Sequence, residues 1–186
     1  MNIKLSILIC TIPQRAHFLD RLWKILEPQE TEEIEILYND KRFQSIGHKR
    51  NVLLEQSKGQ YVSFIDDDDR VSDNYVNLLI YGINKGIDCC SLRGIITEDG
   101  NNPLIFEHSL KYNAYKTNEP GKEVRYERYP NHLNCIRSDV AKRFRFPEIN
   151  HGEDTDFATQ IHKSELLKTE HYIPEAIYYY EYRSKK

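Results

Sequence analysis

The sequence predicts an α/β domain of Rossmann type, with a mostly parallel central sheet flanked by helices. Two observations predict it. Short continuous apolar runs alternate with stretches whose apolar residues recur every three or four positions, an order of strand and helix that builds a parallel sheet covered on both faces. A chain of 186 residues is also the size of one globular domain and can bury a substantial core.

Each element follows from its local pattern. Leu5 to Cys10 is an apolar run of strand length, and Phe18, Leu19, Leu22, Trp23 and Leu26 then recur at helical spacing. The start, Met1 to Lys4 before apolar Leu5 to Ile12, has the makeup of a short signal sequence. Pro13-Gln14-Arg15 follows where a small-residue cleavage site would stand, so the segment reads as a buried first strand. Ile34 to Tyr38 is a second strand. A helix over about Ile46 to Ser57 turns Val52 and Leu53 inward and ends at Lys58-Gly59. Tyr61 to Ile65 is the third strand. Asp73 is placed to cap a helix carrying the stripe Val76, Leu79, Ile80 and Ile83, which stops near Gly86. Ile87 to Thr97 reads as one further strand.

Beyond Thr97 the pattern weakens into polar and turn-forming residues. Glu98-Asp99-Gly100-Asn101-Asn102-Pro103 reads as a hairpin turn, and Asn118-Glu119-Pro120-Gly121 as a solvated connection. A last helix opens at Glu153 and buries Phe157, Ala158 and Ile161. Tyr178 to Arg183 is expected to be a covered edge strand with aromatic residues on both faces, and the basic ending Arg183-Ser184-Lys185-Lys186 a frayed tail.

Composition narrows the partners. A formal net charge of -3 and a pI near 6.2 give no general attraction to nucleic acid or anionic membranes. No segment approaches the ~18 apolar residues that span a bilayer. Cys10, Cys89, Cys90 and Cys135 have no paired spacing and read as reduced thiols, which places the protein in the cytoplasm.

Ligands of such a sheet bind at the carboxyl ends of its strands, where Thr11, Asn39-Asp40 and Asp66 to Asp69 fall on three neighbouring loops. Four consecutive carboxylates are costly, because like charges ~4 Å apart repel by about 1 kcal/mol even in water. A divalent cation would offset them, since Mg²⁺ and Mn²⁺ take oxygen ligands; an acidic turn facing water is the plainer reading. A second acidic cluster, Glu153-Asp154-Thr155-Asp156, opens the last helix, where the dipole favours negative charge. It serves equally as a cap or as a general base.

Taken in order, Ser6-Ile7-Leu8-Ile9-Cys10-Thr11, Asn39-Asp40, Gly47-His48-Lys49-Arg50-Asn51, Lys58 to Asp69 and Gly152-Glu153-Asp154 resemble the family 2 glycosyltransferases of the GT-A fold. The resemblance implies a nucleotide-sugar-binding half, residues 1–96, and an acceptor and catalytic half, residues 97–186. It implies a nucleotide-diphosphate sugar as donor, a UDP-sugar foremost, a hydroxyl acceptor and Mn²⁺ or Mg²⁺ as cofactor. Thr11 would line the nucleotide pocket, Asp40 would bond the base or ribose, and Lys49 or Arg50 would meet the base or diphosphate. Asp68 would ligate the metal, and Asp66 the metal, a metal-bound water or the ribose. Asp67 and Asp69 would be supporting or merely solvated. Asp154 would be the base of an inverting transfer, with Glu153 holding acceptor hydroxyls or exchanging roles with it.

The chain departs from that family pattern in two loops. Cys10 to Arg15 stands where many relatives carry a Pro-Thr-Tyr-Asn type stretch, and a single Asp40 where an Asp pair is usual. Acceptor recognition falls to residues 97–129 and the tail. His132, His151 and His171 carry no assigned role. A phosphohydrolase of the haloacid dehalogenase type, with Asp66 as nucleophile and Asp68 as acid, and a non-catalytic nucleotide-sugar-binding module stay open beside the transferase.

Overall fold

Leu5, Ile7, Leu8 and Ile9 are all fully buried, so the first strand lies at the centre of a sheet with both faces covered. The computed structural model describes residues 2–183; Ser184 to Lys186 of the basic ending lie outside the described residues. The first half runs β1 (Leu5–Cys10), α1 (Ala16–Leu26), β2 (Ile34–Asn39), α2 (Ile46–Gln56), β3 (Tyr61–Asp66), β4 (Arg70–Val71), α3 (Tyr75–Ile83), β5 (Cys89–Cys90) and β6 (Leu92–Glu98). The second runs β7 (Asn101–His108), β8 (Lys116–Thr117), β9 (Val124–Arg128), β10 (Ile136–Arg137), α4 (Ser138–Ala141), α5 (Glu153–Ser164), β11 (Glu170–His171) and β12 (Tyr178–Tyr182).

The central sheet has the order β11-β5-β10-β3-β1-β2. β1 pairs in parallel with β2 and β3, and only β10 runs against its neighbours. Alternation along the strands divides the core in two. Leu5, Ile7 and Ile9 pack with Leu22 and Leu26 of α1 and Val76, Leu79 and Ile83 of α3. Leu8, Val62 and Phe64 pack on the other face with Leu53 and Leu54 of α2 and Phe157 and Ile161 of α5.

Three expectations change. Ile87 to Thr97 is not one strand: the chain leaves the central sheet after Cys90 and enters a second one at Leu92. Ser91 makes the switch, its N–H donating to the His171 carbonyl and its hydroxyl accepting from the Ile173 N–H. Asp73 does not cap α3. Asn74 holds that position without a side-chain cap, and Gln29 Oε1 instead accepts the Val76 N–H at 3.0 Å. Tyr178–Tyr182 is not an edge, because β12 lies between β4 and β6 in the second sheet, of order β4-β12-β6-β7-β9-β8.

The predicted hairpin turn is present. Asp99 and Gly100 join β6 to β7 with φ of 48° and 77°, the left-handed pair that a two-residue turn of type I′ requires. Asn118 to Gly121 forms most of the connection between antiparallel β8 and β9.

One close approach positions the site. A Cβ on Gly47 would lie 1.8 Å from the Pro147 carbonyl oxygen, and the Gly47 N–H donates to the Ile149 carbonyl at 3.1 Å. Only glycine lets the start of α2 sit this tightly against the segment that leads into α5. Lys49 and Arg50 are thereby brought to face Glu153 and Asp154 across one cleft.

Candidate active site

A cavity of about 560 Å³ opens at the carboxyl ends of β1 and β3. Thr11, Lys49, Arg50, Asp66, Asp68, Glu153 and Asp154 all line it. Asp40 does not; it is exposed beside the cleft, close enough for its charge to raise the Lys49 pKa against the lowering effect of burial.

Arg50 ties the two acidic motifs together. It is 4% exposed, and its Nη2 lies 3.0 Å from Asp66 Oδ1 while Nη1 lies 3.3 Å from Glu153 Oε1. Its guanidinium also stands 5.8 Å and 5.5 Å from the ring centres of Phe64 and Phe146, a cation–π slot that keeps the planar group in place. Burial works to raise the Asp66 carboxyl, but Arg50, His132 and Arg15 outweigh it and hold it well below the usual carboxylate range. Arg50 is therefore committed to carboxylates.

Lys49 is the cation left over. Its ammonium, on a residue 3% exposed, donates to the Thr11 carbonyl and pairs with no carboxylate among the described residues. Arg42 lines the same cavity from the exposed loop after β2.

Of the two roles open to Asp67 and Asp69, the structure selects the supporting one. Asp67 and Asp69 are not solvated, being 3% and 1% exposed. Asp67 accepts from Thr11 Oγ1 at 2.6 Å and is gripped by Arg15, whose Nε lies 3.0 Å from Oδ2. Asp69 accepts from the Tyr178 hydroxyl at 2.8 Å and the Glu181 N–H at 3.0 Å. That same Tyr178 hydroxyl accepts the Asp66 N–H at 3.1 Å, so the acidic turn is pinned from beneath to β12. The peptide alternates, and two of its carboxylates have become internal braces.

Asp66 and Asp68 make a donor set for a divalent cation only together with a ligand. No group of three or more His, Cys, Asp or Glu among the described residues can hold a metal unaided. Ions of the Mg²⁺ type are usually bound by one or two carboxylates plus substrate phosphates, and this pair fits that pattern. Both arginine contacts of Asp68, from Arg15 at 2.8 Å and Arg183 at 3.4 Å, fall on Oδ2. Its other oxygen takes no part in them.

Glu153 and Asp154 differ sharply. Glu153 is 4% exposed and ion-paired to Arg50, whereas Asp154 is half-buried and, among the described residues, takes no ion pair and a hydrogen bond from the Thr155 hydroxyl at 3.5 Å. Cys10 also lines the cavity, and burial pushes its thiol up to about 12, so it is protonated at neutral pH and is no nucleophile.

A second cavity of about 460 Å³ adjoins the first, against the second sheet. Asp66, Asp154 and Tyr180 line both. Its walls include His108, Tyr115, Tyr126, Arg128 and His132. His132 Nε2 lies 3.9 Å from Asp66 Oδ2, and neither ring nitrogen has a hydrogen-bond partner among the described residues. His151 lines the first cavity at its exposed rim, while His171 sits in β11. Arg15 and the second cavity were missed in the sequence, and His132 was singled out there without a role. Only the alternation Tyr178, Tyr180, Tyr182 marked a shared face of one strand.

His108 gives the second cavity a pH signature. Burial, with His132 beside it, lowers its pKa from 6.5 to about 3. A depressed histidine binds fewer protons folded than unfolded, so its contribution is present above the unfolded pKa and is lost as pH falls below about 6.5. The loss is about 1.4 kcal/mol per pH unit down to the folded value. Replacing His108 with Gln should flatten the acid limb of melting temperature against pH; an unchanged limb would show that His108 is not held neutral.

The family model for Glycosyl transferase family 2 matches residues 19–147, more than half of the chain. The chain belongs to that family. The matched span includes Lys49, Arg50 and the four aspartates and ends before Glu153. No curated protein matches the chain significantly. Among solved structures, S. aureus TarS 1-349 superposes with a TM-score of 0.70 at 15% identity, over 96% of this chain and 60% of that one. TarS 1-349 in complex with UDP-GlcNAc gives 0.63 at 13%, over 99% and 60%. At such identity the likeness is one of fold, and the chain spans 60% of the length of TarS 1-349. With the family established, the haloacid dehalogenase reading falls away. Among the described residues no helix is long and apolar enough to cross a membrane.

Proposed function

We propose that this chain transfers a sugar from a nucleoside-diphosphate donor, a UDP-sugar foremost, to an acceptor hydroxyl, inverting the anomeric carbon. The observation that carries the reading is Asp154, a carboxylate lining both a cation-bearing cavity and an adjoining aromatic one. The donor's diphosphate lies in the first, met by Lys49 and Arg42. The two neighbours solved with UDP-GlcNAc and with UDP favour a uridine nucleotide.

Asp154 takes the proton as the acceptor oxygen bonds to the anomeric carbon. The bond from that carbon to the β-phosphate oxygen breaks, and the nucleoside diphosphate leaves with its electrons. Asp68 and Asp66 would hold Mn²⁺ or Mg²⁺, which when bound neutralises charge developing on the leaving diphosphate. Glu153 is placed to keep Arg50 in register rather than to act as base, its carboxylate being already paired. Unpaired thiols suit a reducing compartment, and we assign the reaction to the cytoplasm.

The test is nucleoside diphosphate release from a panel of nucleotide sugars with Mn²⁺ or Mg²⁺, with and without acceptors. Release from one UDP-sugar, abolished by EDTA and accelerated by acceptor, is expected. Tight UDP-sugar binding without any release would point to a binding module, and metal-independent release would remove the ion from the scheme.

A further inference from the structure

Arg128 is a cation whose partner is missing. It is half-buried at the end of β9, in the wall of the second cavity. Its Nη1 donates to the carbonyl oxygens of Lys116, at 2.7 Å, and Glu127, at 2.9 Å. Its guanidinium stands 4.8 Å and 5.5 Å from the ring centres of Tyr115 and Tyr126. No carboxylate pairs with it among the described residues: the Glu127 side chain is bonded by Asn118 Nδ2 at 2.8 Å, and the groups that favour the charged form of Arg128 are Tyr115 and Tyr126. Carbonyl dipoles and ring faces hold a guanidinium without neutralising it. An anion entering the cavity would.

The rest of the chamber sets the kind of anion. His108 Nδ1 and both ring nitrogens of His132 are buried without hydrogen-bond partners, on residues 6% and 4% exposed, in the same wall. Neutral imidazoles in that state suit hydroxyl groups, to which they can donate and from which they can accept. Tyr180 adds an aromatic wall that the chamber shares with the first cavity. Asp66 and Asp154 line the same cavity, and their charge repels an anion and leaves Arg128 as its partner. Tyr115 senses the charges of both Arg128 and Asp154, and a volume of about 460 Å³ has room for a sugar-sized unit.

We propose that the acceptor is an anionic sugar or polyol, whose phosphate or carboxylate group is bound by Arg128 while one of its hydroxyls meets Asp154. This rests on the transferase reading for the role of Asp154, but the anion site can be measured apart from it. The anion adds no step to the reaction; it fixes which hydroxyl faces the base and which acceptors enter.

The experiment compares glucose, glucose 6-phosphate and glucuronate binding to UDP-saturated protein by saturation-transfer NMR and calorimetry, in the wild type, Arg128→Gln and Arg128→Lys. At least one anionic probe should bind about tenfold or more tightly than glucose, a preference lost in Arg128→Gln and largely kept in Arg128→Lys, with UDP affinity equal in all three. A preference for glucose 6-phosphate alone assigns a phosphate ester, and for glucuronate alone a carboxylate. Equal binding of all three probes, a preference that survives Arg128→Gln, or displacement of the anionic probe by UDP overturns the proposal. Should Arg128→Gln fail to fold, the wild-type preference must shrink as salt rises, and a salt-independent preference overturns it equally. If UDP itself does not bind, the donor reading fails while the probe series, run without UDP, still decides the anion site.

Discussion

Asp154→Asn is expected to lower sugar transfer by about 10²–10⁴-fold, the usual worth of a positioned general base, with UDP affinity unchanged. The substitution keeps the shape and removes the ability to take a proton. Its structural cost is small, because Asp154 is half-buried and the hydrogen bond it takes from Thr155 is long at 3.5 Å. Asp154 also lines both cavities, a position that among the described carboxylates it shares with Asp66. Asp66 is already engaged by Arg50 at 3.0 Å. Single-turnover transfer measured beside a UDP titration checks the assignment; full transfer by the variant would pass the base role to Glu153.

Arg50→Ala is expected to cost about 3–5 kcal/mol of stability, as breaking a buried ion pair from one side leaves the opposite charges uncompensated. Here two carboxylates are stranded at once, Asp66 and Glu153, and the slot between Phe64 and Phe146 is emptied. For a chain of this size the melting temperature should fall by roughly 6–20 °C. Arg50→Lys should recover only part of the loss, since an ammonium cannot span both carboxylates from one plane as the guanidinium does. Thermal melts decide it, and an Arg50→Ala variant melting within about 2 °C of wild type would show that the triad does not hold the cleft together.

Legibility in the sequence followed the range of the interactions. β1, α1, β2, α2 and β3 were readable because apolar runs and helical stripes are local patterns, and all are confirmed at nearly their expected bounds. The break at Ser91 was not, since both sides of it are apolar and only the long-range pairing of β5 and β6 with different sheets separates them. The two acidic clusters were found by position after strand or before helix, the resemblance to family 2 glycosyltransferases singled out Asp66, Asp68 and Asp154 within them, and the structure brings these to one cavity. The burial of Asp67 and Asp69 was hidden because it depends on Arg15, Thr11 and Tyr178, the last 109 residues away from Asp69. One of Lys49 and Arg50 was expected to meet the base or diphosphate, and the two carboxylates that claim Arg50 were not foreseen because they lie on elements remote in sequence.

The pinning of the acidic turn to β12 sets a fixed gauge between the two chambers. Asp66 ends a strand of the first sheet, and three residues later Asp69 is bolted to a strand of the second. The floors of the two cavities thus meet at a joint whose width is the span of one tight turn. Lengthening that joint by a residue would move the second sheet's wall relative to Asp66 and to Asp154, which α5 holds against the first sheet, whereas the exposed tip between β8 and β9 can be rebuilt without touching it. On the proposed transferase reading, the part that must stay constant is the joint, and choice of acceptor would be written in the outer strands beyond it.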